Sequence, residues 1–129
     1  MKKYLSILTL AAAFTSLSFA SVAPKTMGAV MSWSLTEYDF GRIERNVPVQ
    51  ANFKFENTGN APLVIVSAKG SCGCTVAEYS QGEILPGEYG EVRATYNAAK
   101  AGVFSKTVTV NANTDSGPIV LTVKGEVLD

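Results

Sequence analysis

From about Leu35 to the C-terminus, apolar and polar residues alternate with a period of two, which places neighbouring side chains on opposite faces of a β-sheet. The clearest stretch is 47–56, where every second residue is apolar. Shorter alternating stretches lie at 38–41, 91–96, 104–112 and 119–127, and two further short strands are predicted at 62–66, a β-branched run that begins with proline, and at 75–79. No apolar stripe with helical spacing follows residue 20, so the pattern predicts about seven strands and no helix.

Turn-forming residues separate these predicted strands. Residues 57–60 are rich in Asn and Gly, which tolerate positive φ, and Pro86-Gly87 has the residue order of a type II turn. Uneven short strands without a repeat favour an antiparallel β-sandwich over a barrel. We therefore expect a single all-β sandwich domain over residues 34–129.

The first 20 residues have the pattern of a secretory signal peptide. Two lysines follow Met1, then comes an apolar stretch diluted by Ser and Thr, and Ser18-Phe19-Ala20 has the small-x-small form of a cleavage site. A membrane span needs roughly 20 strongly apolar residues. We expect cleavage after Ala20, no transmembrane segment afterwards, a linker over 21–33, and export to the periplasm or the cell exterior.

Charge narrows the range of partners. The full chain has 11 basic and 11 acidic residues, and removing Lys2 and Lys3 with the signal peptide leaves nine basic and eleven acidic, a net charge of −2. The charges are dispersed singly, whereas nucleic-acid binding needs clustered basic side chains. Nucleic acid is therefore not expected as a partner.

Residues suited to catalysis are scarce. The chain has no histidine, the commonest general base. Glu83 with Glu88, or Glu88 with Glu91, could form a carboxylate pair, but these residues flank the predicted turn and are more simply interpreted as solvated. Tyr79 and Tyr89 could offer a carbohydrate or peptide platform, although ordinary edge packing is favoured. We predict no catalytic residues and no enzyme activity.

Cys72 and Cys74 are the only cysteines in the chain and stand one residue apart. On an extended strand their Cα atoms would lie roughly 6.6 Å apart, close to the upper limit of about 6.8 Å for a disulfide. Gly73 could bend the backbone and shorten this span. A local disulfide is feasible but strained, and its loop-closure contribution of roughly 1.6 kcal/mol is too small for a structural staple.

The sequence leaves four roles open for Cys72 and Cys74. They are a locked oxidised turn, a redox-active dithiol with Lys69 supplying positive charge nearby, a Cu(I) site using both thiolates, and disulfides between chains. Zinc is disfavoured because a structural site needs four Cys or His ligands. No other cofactor is expected.

Five motifs together resemble the exported bacterial family known as domain of unknown function 1573. They lie at 39–41, 53–63, 72–75, 86–88 and 102–107. The resemblance covers about residues 35–127. That family is similar to immunoglobulin-like domains of abnormal-spindle and hydin proteins and of the major sperm protein and pilus-chaperone groups. The resemblance implies a seven-stranded immunoglobulin-like sandwich and no established activity, and it identifies Cys72 and Cys74 as motif cysteines without a role.

Two functional hypotheses follow. The first is a non-catalytic immunoglobulin-like module that binds another cell-envelope protein or serves a structural role there. The second is an envelope thiol protein that uses Cys72 and Cys74 for redox exchange or soft-metal binding. The first is favoured because folds of this type host binding more readily than chemistry.

Overall fold

A computed structural model describes residues 28–129, so the predicted signal peptide and residues 21–27 of the predicted linker lie outside the described residues. The described chain forms eight strands and no helix. The strands are β1 (Met31–Trp33), β2 (Glu37–Glu44), β3 (Val49–Asn57), β4 (Ile65–Gly70), β5 (Thr75–Tyr79), β6 (Tyr89–Tyr96), β7 (Gly102–Ala112) and β8 (Ile119–Leu128). No helix in residues 28–129 is long and apolar enough to span a membrane.

The strands form two four-stranded sheets that pack face to face. One has the order β1-β3-β6-β5 and the other β2-β8-β7-β4. The all-β sandwich prediction is confirmed. Its antiparallel character holds for every strand pair except β2 with β8, which is parallel. A period-two pattern reports which face a side chain occupies but not the direction of the neighbouring strand, so the parallel pair could not be predicted.

The strand that the sequence did not predict is β1, which lies within the predicted linker. Met31–Trp33 pairs antiparallel with β3, and the Trp33 ring lies 4.9 Å from the ring of Phe55. Ala29 is buried and forms a bridge with Thr114. Three residues are too few to show a period, so partner contacts define this strand.

Alternating burial along β3 confirms the sequence pattern there, because its buried residues recur at every second position. The main core lies between the sheets and includes Phe53, Phe55, Leu63, Val92, Val108, Val110, Leu121 and Val123. A second group of buried residues, here called the end cluster, consists of Tyr96, Ala98, Phe104 and Val127. Tyr96 and Phe104 stack with ring centroids 4.1 Å apart.

The Pro86-Gly87 turn is also confirmed. Gly87 has a φ of 85°, and the Glu88 N–H donates to the Leu85 carbonyl at 2.9 Å, which is the geometry of a type II turn with glycine at its third position. The Glu88 carboxylate accepts a hydrogen bond from the Leu85 N–H at 3.0 Å. The turn therefore fixes both ends of its own loop.

Asn57 holds the loops at this end of the sandwich together. Its side chain is fully buried, and its amide nitrogen donates to the carbonyls of Ala61 at 2.9 Å and Ile84 at 2.8 Å. Its amide oxygen accepts from the N–H groups of Gly59 at 3.0 Å and Val30 at 3.3 Å. One buried amide thus bonds three segments, which contain Val30, residues 59–61 and Ile84.

Replacing Asn57 with alanine should destabilise the protein by about 3 kcal/mol, because four hydrogen bonds are lost and buried backbone groups lose their partners. Asn52→Ala is the matched control, since Asn52 lies exposed on the same strand and should change stability by less than about 0.5 kcal/mol. Urea unfolding measures both. Equal effects of the two substitutions would contradict the role of Asn57.

Candidate functional site

The cysteines lie where the chain crosses from one sheet to the other. β4 ends at Gly70 and is the last strand of its sheet, and β5 begins at Thr75 as the last strand of the other sheet. Residues 71–74 connect them and are called the crossover turn below. The predicted strand 62–66 is displaced, because β4 extends to Gly70 and leads directly into this turn.

The crossover turn is bent, so the spacing considered for an extended strand does not apply to Cys72 and Cys74. The Thr75 N–H donates to the Cys72 carbonyl at 3.3 Å, which closes a four-residue turn. The Cα atoms of Cys72 and Cys74 are therefore 5.2 Å apart rather than roughly 6.6 Å, and their sulfurs lie at disulfide distance. This separation falls inside the ordinary range for a disulfide of about 4.4–6.8 Å, so the expected strain from an over-long span does not arise.

Both sulfurs lie beside the edge of the core. The Thr75 hydroxyl oxygen is 3.7 Å from the Cys72 sulfur and 3.9 Å from the Cys74 sulfur, and Thr75 itself is buried. Cys74 packs against the end cluster, and its carbonyl accepts a hydrogen bond from the Asn97 N–H at 3.0 Å. The two cysteines are each half-buried. The pair is therefore fixed on one side and reachable by solvent on the other.

Ser71 attaches the crossover turn to β7. Its N–H donates to the Thr107 carbonyl at 2.8 Å, and its hydroxyl accepts from the Thr107 N–H at 3.2 Å. Lys69 is exposed one position before Gly70, in register with Thr109. The motif residues are thus held by backbone bonds on both sides of the cysteines.

The glycine that this turn requires is Gly70. A Cβ at Gly70 would overlap the Thr75 carbonyl oxygen, because the ends of β4 and β5 approach closely there. A Cβ at Gly73 would meet nothing within 4 Å, and φ at Gly73 is not in the left-handed region. The expectation that Gly73 supplies the bend is therefore wrong, and ordinary turn geometry brings the cysteines together.

The two lateral sides of the sandwich differ. On one side β1 is only three residues long, and β2 carries a bulge between Asp39 and Arg42. Charges line β2, with Arg42 3.9 Å from Glu126 and Glu37 bonded to Lys124. The hydrogen bond from Lys124 to Glu37, and the charge of Glu37, raise the pKa of Lys124. Short strands, bulges and charges are the features that keep an edge from pairing.

β5 borders the opposite side and has regular register with β6 along its whole length. The Ser80 N–H donates to the Glu91 carbonyl in β6, and the Cys74 carbonyl accepts from the N–H of Asn97, the residue directly after β6. Because bonded residues alternate along an antiparallel strand, the backbone N–H and C=O of Ala77 point away from β6. No strand of the described residues lies beyond β5. β5 therefore offers backbone donors and acceptors at an edge without a bulge.

Small or apolar residues line this side, called the β4–β5 side below. Ala68 and Ala77 are half-buried, while Val66 and Val76 are 67% and 58% exposed. The Tyr79 hydroxyl donates to the Val66 carbonyl at 3.3 Å, which ties the two edges together at the end remote from the crossover turn.

The other sequence candidates are engaged separately. The Glu88 carboxylate caps its own turn, Glu91 pairs with Arg93 at 3.2 Å, and Glu83 is exposed. Tyr79 is used in the bond to Val66, whereas Tyr89 is 73% exposed at the start of β6. Within residues 28–129, no three His, Cys, Asp or Glu side chains converge to hold a metal ion.

Residues 31–127 match the profile of the family described as "Protein of unknown function (DUF1573)". No curated protein sequence matches the chain significantly. A protein of unknown function from Porphyromonas gingivalis W83 has a similar structure, with a TM-score of 0.69 and 22% identity over 81% of this chain and 50% of that one. The chain thus spans half the length of that protein.

Two further structures share the fold. PapD-like domain 7 of human CEP192 matches with a TM-score of 0.61 and 11% identity, over 98% of this chain and 99% of that domain. The secreted serine protease VesC from Vibrio cholerae matches with a TM-score of 0.56 and 17% identity, over 80% of this chain but 24% of the protease. At these identities the likeness shows a PapD-like, immunoglobulin-like fold and nothing about activity.

The two glycines of the motif give a matched test of the crossover turn. Gly70→Ala should cost about 2–3 kcal/mol, because the backbone of β4 must move away from Thr75. Gly73→Ala should be neutral or slightly stabilising, by up to about 1 kcal/mol, because it restricts the unfolded chain at a position with open space. Thermal and urea unfolding measure both. A larger cost at Gly73 than at Gly70 would contradict the assignment.

Replacing both cysteines with serine should lower stability by no more than about 1.6 kcal/mol, the loop-closure value for so short a loop. Chemical unfolding of the variant, compared with the parent protein with and without reductant, measures the loss. A mass shift of the parent protein only after reduction and alkylation shows the bond itself. A loss above about 4 kcal/mol would mean that the pair is a principal structural bond.

Proposed function

The chain belongs to the DUF1573 family of proteins of unknown function, and we propose that it is an exported, non-catalytic module that binds an extended segment of another cell-envelope protein along β5. The observation that carries this proposal is the difference between the two lateral sides. The β1–β2 side has a three-residue strand, a bulge in β2 and a line of charges, whereas β5 on the β4–β5 side pairs with β6 in unbroken register and carries the exposed Val76.

Strand addition to β5 uses groups that the fold leaves facing outward. The backbone of Ala77 offers an N–H and a C=O in the plane of the sheet, and a partner strand pairs with them as β6 pairs on the other side. Backbone hydrogen bonds then give affinity, and contacts with alternate side chains give specificity. The exposed Val76 and the neighbouring Val66 supply apolar contact to such a strand.

On the β4–β5 side, features of β4 limit the addition of a partner strand to that strand. Val66 is the extra residue of a bulge in β4, between Ile65 and Ser67, and its carbonyl is taken by Tyr79. Lys69 and Glu78 place one charge of each sign on the edge strands. Because β4 is bulged and its Val66 carbonyl is already bonded, β5 is the strand to which a partner adds. β4 lies beside that partner and contacts its side chains.

The cysteine pair supports this role by acting as a clip, that is, a disulfide that holds the crossover turn in one shape. As a disulfide, Cys72 and Cys74 hold the end of β4 against the start of β5 and retain no thiolate for Cu(I). One observation favours the second hypothesis, an envelope thiol protein: Cys72 and Cys74 are each half-buried rather than fully buried. A reduction potential well above about −300 mV would favour that hypothesis over the clip.

The proposed export rests on residues 1–20, which have the pattern of a secretory signal peptide. Fractionation of cells expressing the tagged chain, with N-terminal sequencing of the mature form, tests it. We expect a periplasmic or external product that begins at Ser21. A full-length product in the cytoplasm would contradict export. The proposal that a partner binds along β5 is tested separately, by cross-linking.

The edge is tested by placing a photo-cross-linking residue at single exposed valines. Positions 66 and 76 on the β4–β5 side should give one discrete adduct from the cell envelope, and positions 103 on β7 and 120 on β8 are matched controls, 85% and 53% exposed. With the partner identified from the adduct, Val66→Lys combined with Val76→Lys should weaken purified binding about tenfold, the factor that 1.4 kcal/mol represents.

The control variant, Val103→Lys with Val120→Lys, adds the same charge elsewhere and should leave binding unchanged. Both double variants should keep the stability of the parent within about 0.5 kcal/mol, because all four side chains are exposed. Equal adducts at all four positions, or equal binding by the two lysine variants, would overturn the proposal.

A further inference from the structure

The outer face of the β1-β3-β6-β5 sheet carries two adjoining clefts. One has a volume of about 120 Å³ and is lined by Glu78, Tyr79, Ser80, Glu91 and Arg93. The other has a volume of about 300 Å³ and is lined by Lys54, Ser80, Tyr89, Gly90 and Glu91. They share Ser80 and Glu91 and so form one groove across β5 and β6. Together they reach the range of small-ligand sites, roughly 300–1,000 Å³.

The polar groups of this groove are already held in position. Arg93 donates to Glu91 at 3.2 Å and to Glu78 at 3.5 Å. The Ser80 hydroxyl accepts from the Glu91 N–H at 3.0 Å. A planar guanidinium between two carboxylates presents fixed donors beside fixed acceptors. A hydroxyl group both donates and accepts hydrogen bonds. Neighbouring hydroxyl groups of a ligand can therefore bond the Arg93 donors and the adjacent carboxylate acceptors together.

Tyr89 supplies an aromatic surface at the same place. Its ring is 73% exposed at the start of β6 and lines the larger cleft next to Lys54. The face of an aromatic ring carries negative charge density, which attracts the C–H bonds on the flat side of a pyranose ring. A hydroxyl-rich ring with one apolar face therefore fits this corner of the groove.

The charges of the groove define the ligand class further. Lys54 and Arg93 balance Glu78 and Glu91, so the groove has no net charge. A polyanion needs an excess of basic groups, and a peptide anchor needs a buried apolar pocket. We propose that this groove binds a neutral oligosaccharide, with Tyr89 stacking on one sugar ring and Arg93, Glu91 and Ser80 bonding the hydroxyls of the next.

This site is distinct from the edge proposed to bind a protein segment. The groove lies on the outer face of the sheet, whereas the partner strand adds in the plane of the sheet along β5. The lysine substitutions at Val66 and Val76 leave every groove residue intact. Loss of protein binding in those variants, with glycan binding retained, separates the two proposals experimentally.

Titration of the purified mature protein with cellohexaose and with hexa-N-acetylchitohexaose, followed by amide NMR, tests the groove. At least one of the two should shift the amide signals of Ser80, Tyr89, Glu91 and Arg93. Tyr89→Ala should lower the affinity about tenfold, as expected for loss of one stacked ring. Tyr38→Ala is the matched control, since Tyr38 is 40% exposed on the other sheet, and it should leave the affinity unchanged.

Three results would overturn the proposal. The first is no shift with either sugar at about 10 mM, where even millimolar binding registers. The second is an affinity that Tyr89→Ala leaves intact while the rest of the spectrum shows a folded protein. The third is preferential binding of the polyanion heparin at the same amides, which would assign the groove to a charged ligand.

Discussion

The buried amide of Asn57 is the interaction on which the rest of the described fold depends. Its four hydrogen bonds join the segment before β1, the turn after β3 and the loop before β6. A Cβ at Gly59 would overlap the carbonyl of Gly28, so the same turn also sets how closely the first described residues pass. β6 runs from this end of the sandwich to the other and pairs with both β3 and β5. At its far end, Cys74 packs against the end cluster.

The two ends of the sandwich therefore have different constraints. At the Asn57 end, the oxygen and the nitrogen of the buried Asn57 amide each have two hydrogen-bond partners. At the cysteine end, Gly70 allows β4 and β5 to approach, and the turn from Cys72 to Thr75 moves the chain between sheets. The disulfide distance is a result of that turn, so the cysteines lock a shape that the backbone already has. Between these ends the β4–β5 side remains open, because both strands are last in their sheets.

The sequence predicted those features that depend on neighbouring residues. Alternation along β3 reported its buried face, and Pro86-Gly87 reported its turn, because each pattern acts over a few positions. Long-range features were not predictable in this way. The strand at Met31–Trp33 is defined by pairing with Phe55 and its neighbours, and the parallel direction of β2 is defined by β8. The requirement for Gly70 rather than Gly73 appears only when the Thr75 carbonyl is placed against β4.

The central claim is that an extended partner segment adds to β5. Site-resolved amide hydrogen exchange on the purified complex with the cross-linked partner tests it most directly, since exchange reports the bonding of each N–H. We predict that the Ala77 amide, which points away from β6, gains strong protection on binding, while Val76 and Glu78, already bonded to β6, change little. Protection gained instead along β1 or β2, the edge strands of the opposite side, with Ala77 unchanged, would contradict the account.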